Sequence, residues 1–149
     1  MNAFVTAGAG FLLAVLWFDL MFDVQVVAHR GRELPEEALA SIAGYYRRVT
    51  TAARPMNRLI ALVMLATLAA IVVEIVRGDG QPWVPWASLA LAASPILLAG
   101  AHTVPGAVRL GSRRDPIARQ SALAHSIWRE HVFCAVAIVG LLVVQLGFA

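Results

Sequence analysis

The stretch LWFDLMFDVQVVAHR, residues 16 to 30, sets Asp19 and Asp23 four residues apart inside an otherwise apolar run. That spacing puts both carboxylates on one face of a helix, one turn apart. Other apolar runs carry ionisable groups of their own: His102 in one, and Glu130 with His131 at the head of another, where Cys134 follows one turn on. Carboxylate and imidazole together form a ligand set for iron, copper, zinc or manganese. Two histidines on different helices, His102 and His131, also suit the axial positions of a haem. The expected metal ligands are therefore Asp19, Asp23, His102, Glu130 and His131. Asp19 and His102 are the expected catalytic residues, as ligands or as a proton-transfer pair. No HExxH or ExxH motif narrows the chemistry.

Each of these groups also has a structural reading. Arg58 or Arg109 could neutralise the aspartates, since polar groups hold membrane helices together. His102 precedes Pro105 by one turn and could bond a carbonyl that lacks its usual N–H partner. His131 could be structural, His29 and His125 ordinary surface residues, and Cys134 a small packing residue. Asn57, Ile60, Met64, Thr67, Ile71 and Glu74 recur at helical spacing on one face. That face could line a proton path towards Glu74 or serve as a packing face. The arginines and tyrosines of GYYRRV could hold an anionic or aromatic substrate, or lie among lipid headgroups.

Helices in a bilayer must position these groups. Of the 149 residues, 60% are hydrophobic and 14% charged, against about 25% charged in soluble domains. A spanning helix needs about 20 mostly apolar residues. Four runs qualify, at about 3–27, 59–76, 86–108 and 130–148, and they leave no room for a separate soluble domain. The expected fold is all-α, a four-helix integral membrane bundle forming a single transmembrane domain. The first run has no basic segment ahead of it and exceeds a signal-peptide core in length, so it is expected to remain a permanent helix. A lone cysteine excludes an intrachain disulfide.

All twelve basic residues are arginine. Eleven lie between the first and second runs or between the third and fourth, and only Arg77 lies between the second and third. The positive-inside rule then places loops 1 and 3 in the cytoplasm and both termini outside, in a plasma membrane. The basic charge reports topology and anionic-lipid contact; no nucleic-acid partner is expected. Counting about 1.5 Å per residue, Asp19 lies roughly 12 Å and His102 roughly 9 Å from the cytoplasmic ends of their helices.

Loop 1 contains Pro35, Glu36 and Glu37 as a helix start, followed by Leu39, Ile42, Tyr46 and Val49 at helical spacing. It predicts a short amphipathic cytoplasmic helix that ends before Pro55, with Arg47 and Arg48 towards headgroups. In loop 3, Asp115-Pro116 marks the start of a helix running into the fourth span. RGDGQPWVPW, residues 77 to 86, predicts a tight outer hairpin with tryptophans at the interface. Two helix pairs with basic connections suggest duplication of one hairpin.

HTVPGAVRLG, followed after a basic loop by IWREHVF, resembles the Asn-Val-Pro segment and Trp-containing last helix of the anthrone oxygenase-like family of small four-helix membrane proteins. His102 and Thr103 stand where that family usually has Thr and Asn, and the second Asn of its pattern is missing. LWFDLMFDVQVVAHR is similar in outline to the first helix of the haem-binding membrane protoporphyrinogen oxidases and related copper-resistance membrane domains, without their early histidine. Each resemblance covers less than a third of the chain, and no catalytic residue is transferred from either.

The functional expectation is a membrane oxidoreductase binding a transition metal or haem in the cytoplasmic half and acting on a hydrophobic small molecule such as a quinone, porphyrin or polyketide. One alternative is a proton-coupled or ion-conducting oligomer using Asp19, Thr67 and Glu74. The other is a structural subunit of a larger membrane complex.

Overall fold

The computed structural model describes every residue except Met1 and Asp79, the side chain of Arg54 apart. Six helices follow in order: α1 (Asn2–Asp23), α2 (Glu36–Arg47), α3 (Arg54–Arg77), α4 (Trp83–Leu98), α5 (Val104–Ser112) and α6 (Ile117–Phe148). A 3-10 stretch, Val24–His29, prolongs α1. Wide π-type turns, Arg48–Ala52 and Ala99–Thr103, follow α2 and α4. Among the described residues four helical stretches are long and apolar enough to cross a membrane: Asn2–His29, Pro55–Arg77, Trp83–Ser112 and Ile117–Phe148. The protein is an all-α integral membrane bundle with an amphipathic helix in its first connection.

Local sequence explains the boundaries. Gly31, at φ 72°, turns the chain after α1, where a side chain would be strained. Pro35 is extended and leads into α2, whose first turn carries Glu36 and Glu37 against the positive end of the helix dipole. Gly78 ends α3 in the left-handed conformation, its N–H bonding the Glu74 carbonyl at 3.1 Å. The Gly-Asp-Gly turn expected there includes Asp79, which lies outside the described residues. Pro95 sits inside α4, where it removes one rung of the hydrogen-bond ladder, and the helix widens one turn later at Ala99–Thr103. Pro116 is extended and α6 starts at the next residue.

Two apolar clusters divide the molecule into layers. In the first, Val5, Ala9, Leu12, Ala70, Ile71, Ala92, Ile138 and Leu141 fill the middle of a ring in which α1 packs on α3, α3 on α4, α4 on α6 and α6 on α1. Gly8 lets α1 approach α3 so closely that a Cβ there would run into the Thr67 hydroxyl. In the second, Leu39, Ile42, Ala43 and Tyr46 of α2 pack with Ala107 and Leu110 of α5 and Ala124 and Ile127 of α6. This forms a cap beyond the four-helix layer. Gly111 fits α5 against α2: a Cβ there would lie 2.8 Å from the backbone nitrogen of Arg47. An Arg113–Glu36 contact of 2.5 Å ties the same two segments together.

The cap lies beside the polar residues singled out from sequence. About 20 residues, or roughly 30 Å, cross the hydrocarbon. Counted from Asn2, Arg77, Trp83 and Phe148, that length ends close to Phe22, Arg58, His102 and Arg129. The apolar runs of α1, α4–α5 and α6 continue past this level because they also supply the cap. By this count Asp23, His102, Glu130 and His131 fall within a few residues of the inner end of their spans, and Asp19 one turn further in.

Candidate functional site

Between the two apolar clusters runs a buried polar layer, built from Asp23, Thr103, Glu130 and His131. Its first part joins α1, α2 and α6. Asp23 is completely buried. Its Oδ1 accepts a hydrogen bond from the Tyr46 hydroxyl at 2.6 Å, and its Oδ2 lies 2.7 Å from His131 Nδ1. The Tyr46 oxygen is also 3.3 Å from Nδ1. Because Tyr46 gives its own proton to the carboxylate, its oxygen is left to accept, and the pattern assigns a proton to His131 Nδ1. Asp19, one turn earlier, accepts a 2.7 Å bond from the Tyr45 hydroxyl, while its other oxygen stands 3.8 Å from His131 Nε2. Tyr45 stacks on Phe22 at 4.1 Å between ring centroids, which fixes the phenol over α1.

Tyr46 follows from the helical stripe of α2, and Tyr45 flanks it, half-buried against the same cluster. Burial, and behind it the negative charges of Asp19 and Asp23, push each phenol well above its ordinary pKa. They therefore remain proton donors to the carboxylates across the physiological range.

The second part joins the turn after α4 to α6. Glu130 accepts bonds from Thr103 Oγ1 at 2.7 Å and Ser126 Oγ at 2.8 Å, and His102 Nδ1 lies 2.7 Å from it. Successive residues of an ordinary α-helix point about 100° apart; here the wide turn brings His102 and Thr103 to the two oxygens of one carboxylate. The His102 side chain is 64% exposed, whereas that of Glu130 is 10% exposed.

The structure thus divides the five expected metal ligands between two separate sets: Asp19, Asp23 and His131 in one, His102 and Glu130 in the other. Among the described residues, no group of three or more His, Cys, Asp or Glu side chains is arranged to hold a metal ion. The proposed catalytic pair is not brought together either, since Asp19 engages Tyr45 and His102 engages Glu130. Arginine neutralisation gives way to another solution as well. Arg109 forms a bidentate pair with Asp115, at 2.7 Å for each bond, and these bonds hold the Asp115 carboxyl below its usual range.

Sequence reasoning missed several partners. Tyr46 occupies the apolar stripe of α2, and that placement was the available signal for a buried phenol. Gln145, completely buried in α6, donates to Glu74 at 3.1 Å and to Ser88 at 2.9 Å; a lone amide in an apolar span was its signal. His125 is a joining residue, with Nε2 3.2 Å from the His29 carbonyl and Nδ1 2.8 Å from that of Ser121. The face of α3 proposed as a proton path is packed: Thr67 is 2% exposed, and its hydroxyl donates to the Val63 carbonyl of its own helix at 2.8 Å. Cys134 is buried, its Sγ 3.9 Å from the Pro95 carbonyl.

A family model of the SHR3 chaperone, described as ER membrane protein SH3, matches residues 1–149. No curated protein and no solved structure matches the chain. The family match replaces both resemblances read from the sequence, to the anthrone oxygenase-like family and to the membrane protoporphyrinogen oxidases and copper-resistance domains. HTVPGAVRLG, which carried the first, forms the end of the wide turn and nearly all of α5, with His102 and Thr103 committed to Glu130. With the resemblances go the oxidoreductase, metal-binding and haem readings and the proton-coupled transporter, which disagree with a chaperone family and with the separation of the presumed ligands.

Proposed function

Because the chain belongs to the SHR3 chaperone family of ER membrane proteins, we propose that it is a membrane-embedded chaperone for other integral membrane proteins. The observation that carries this reading is the family match along the full 149 residues. The side-chain chemistry is consistent with it. Polar groups at the cap boundary engage one another, and the lateral face offered to neighbouring helices is apolar: Trp17 is 66% exposed, Leu65 65% and Val136 68%. Helices in lipid associate by close packing, without the aqueous hydrophobic effect. A face of this kind suits transient cover for a client span that has not yet found its partners.

The reading places the protein in the endoplasmic reticulum membrane in place of the plasma membrane, with the arginine-rich cap towards the cytoplasm as the charge distribution favours. Its partners are client membrane proteins and the lipid bilayer, in place of a small-molecule substrate.

A polytopic membrane protein co-expressed with this chain tests the reading. The client is expected to be recovered as a larger monodisperse fraction in mild detergent, and to crosslink to a photoreactive residue at Leu65 or Val136. Unchanged client recovery together with no crosslink would sink the proposal.

A further inference from the structure

We propose that the groove between the Arg30–Glu33 turn and α6 binds the headgroup of an anionic phospholipid. The groove encloses about 700 Å³ and is lined by Arg30, Arg32 and Arg129 together with Val27 and Trp128. Three guanidinium groups thus share one concavity with a single carboxylate, that of Glu33. Among the described residues none of the three arginines forms an ion pair, whereas Arg109 and Arg113 do. All three are exposed.

The level of the groove selects the ligand. Thirty ångströms of span, counted along α6 from Phe148, end near Arg129. On the other wall, the His29 carbonyl at the end of the α1 extension meets His125 of α6 at 3.2 Å, which fixes the two walls in register. By the same measure the α1 wall passes the hydrocarbon near Phe22, so the groove runs from that level at Arg129 into the headgroup layer at Arg30 and Arg32. Guanidinium groups recognise phosphate oxygens through paired hydrogen bonds. Val27 and the half-buried Trp128 supply an apolar edge beside them, and tryptophan favours this depth. A soluble anion would use the arginines and leave the apolar edge idle; a phospholipid uses both. Basic pockets on this side of a helix bundle are suited to acidic headgroups.

The chaperone reading is not required for this site, so each can fail alone. Native mass spectrometry of the full chain in mild detergent, titrated with phosphatidylserine or phosphatidylcholine of equal acyl length, tests it directly. One phosphatidylserine is expected to be retained, with affinity on the order of tenfold or more above phosphatidylcholine for three arginines at the surface. The R30Q/R32Q/R129Q variant is expected to lose that preference while keeping the wild-type melting temperature, and R30K/R32K/R129K to recover part of it. Should the triple glutamine variant unfold, R129Q alone is measured and must weaken the preference. Equal retention of the two lipids, a preference untouched by the glutamine variants, or displacement of the lipid by equimolar inorganic phosphate would each overturn the assignment.

Discussion

His131 Nδ1 and Asp23 Oδ2 lie 2.7 Å apart, joining two helices whose residues are 108 positions apart in the chain. The contact closes the ring of spans at the level where the membrane layer gives way to the cap. Tyr46 binds the same carboxylate from α2, so one buried aspartate gathers three helices.

Asp23→Ala removes an acceptor shared by a buried imidazole and a buried phenol. Leaving a buried donor without its acceptor costs about 1–3 kcal/mol, and here two donors lose theirs at once. The variant is expected to melt far below wild type in detergent, while Tyr46→Phe, which deletes the bond to Asp23 and the longer contact with His131 but leaves the Asp23–His131 bond, costs about 1 kcal/mol. Thermal unfolding followed by circular dichroism orders the two. Equal melting temperatures for Asp23→Ala and wild type would contradict the role assigned to this contact.

His102→Ala is expected to be mild, at about 1 kcal/mol or less, because Glu130 keeps its bonds from Thr103 and Ser126. Thr103 is 3% exposed, so Thr103→Val should destabilise more than His102→Ala. The reverse order in the same melting assay would show that His102 carries the turn after α4.

Gly111→Ala should destabilise by about 1–3 kcal/mol, because the added methyl meets α2 backbone that has no flexible end to yield. Gly100, in the wide turn, faces open space, and Gly100→Ala is expected to leave the melting temperature close to wild type. Chemical unfolding of both variants compares them directly.

Alkali should weaken the fold through Tyr45 and Tyr46. In the unfolded chain a phenol ionises near pH 10; in the native protein burial and the neighbouring aspartates raise that value. The native state therefore holds more protons above pH 10, and stability falls as pH rises. The contribution is complete below about pH 10 and is lost towards the raised native values. The chain has no lysine and only these two tyrosines, which leaves few other groups to titrate there. Melting temperatures between pH 8 and 11 should fall more steeply for wild type than for Tyr45→Phe/Tyr46→Phe; parallel slopes would refute the assignment.

Sequence alone determined the environment and the main elements. Twenty-residue apolar runs have one inexpensive arrangement, the spanning helix, because hydrocarbon cannot satisfy an open backbone. The stripe Leu39, Ile42 and Tyr46 likewise fixed α2, and the Asp115-Pro116 pair announced the start of α6. These are local signals, read within a few turns.

Only the tertiary structure decided what the ionisable residues meet. Asp19, Asp23, His102, Glu130 and His131 are compatible with a metal site as a composition, but coordination requires convergence on one point, and convergence depends on helix rotation and length. The continuation of α1, α4–α5 and α6 into the cap set these groups between two apolar clusters. The wide turn after Pro95 then directed His102 and Thr103 to Glu130, and the packing of α2 brought Tyr45 and Tyr46 to the aspartates. Hydropathy records that a segment is apolar; it does not record whether lipid or a second apolar cluster covers it, and that choice rests on contacts between residues far apart in the chain.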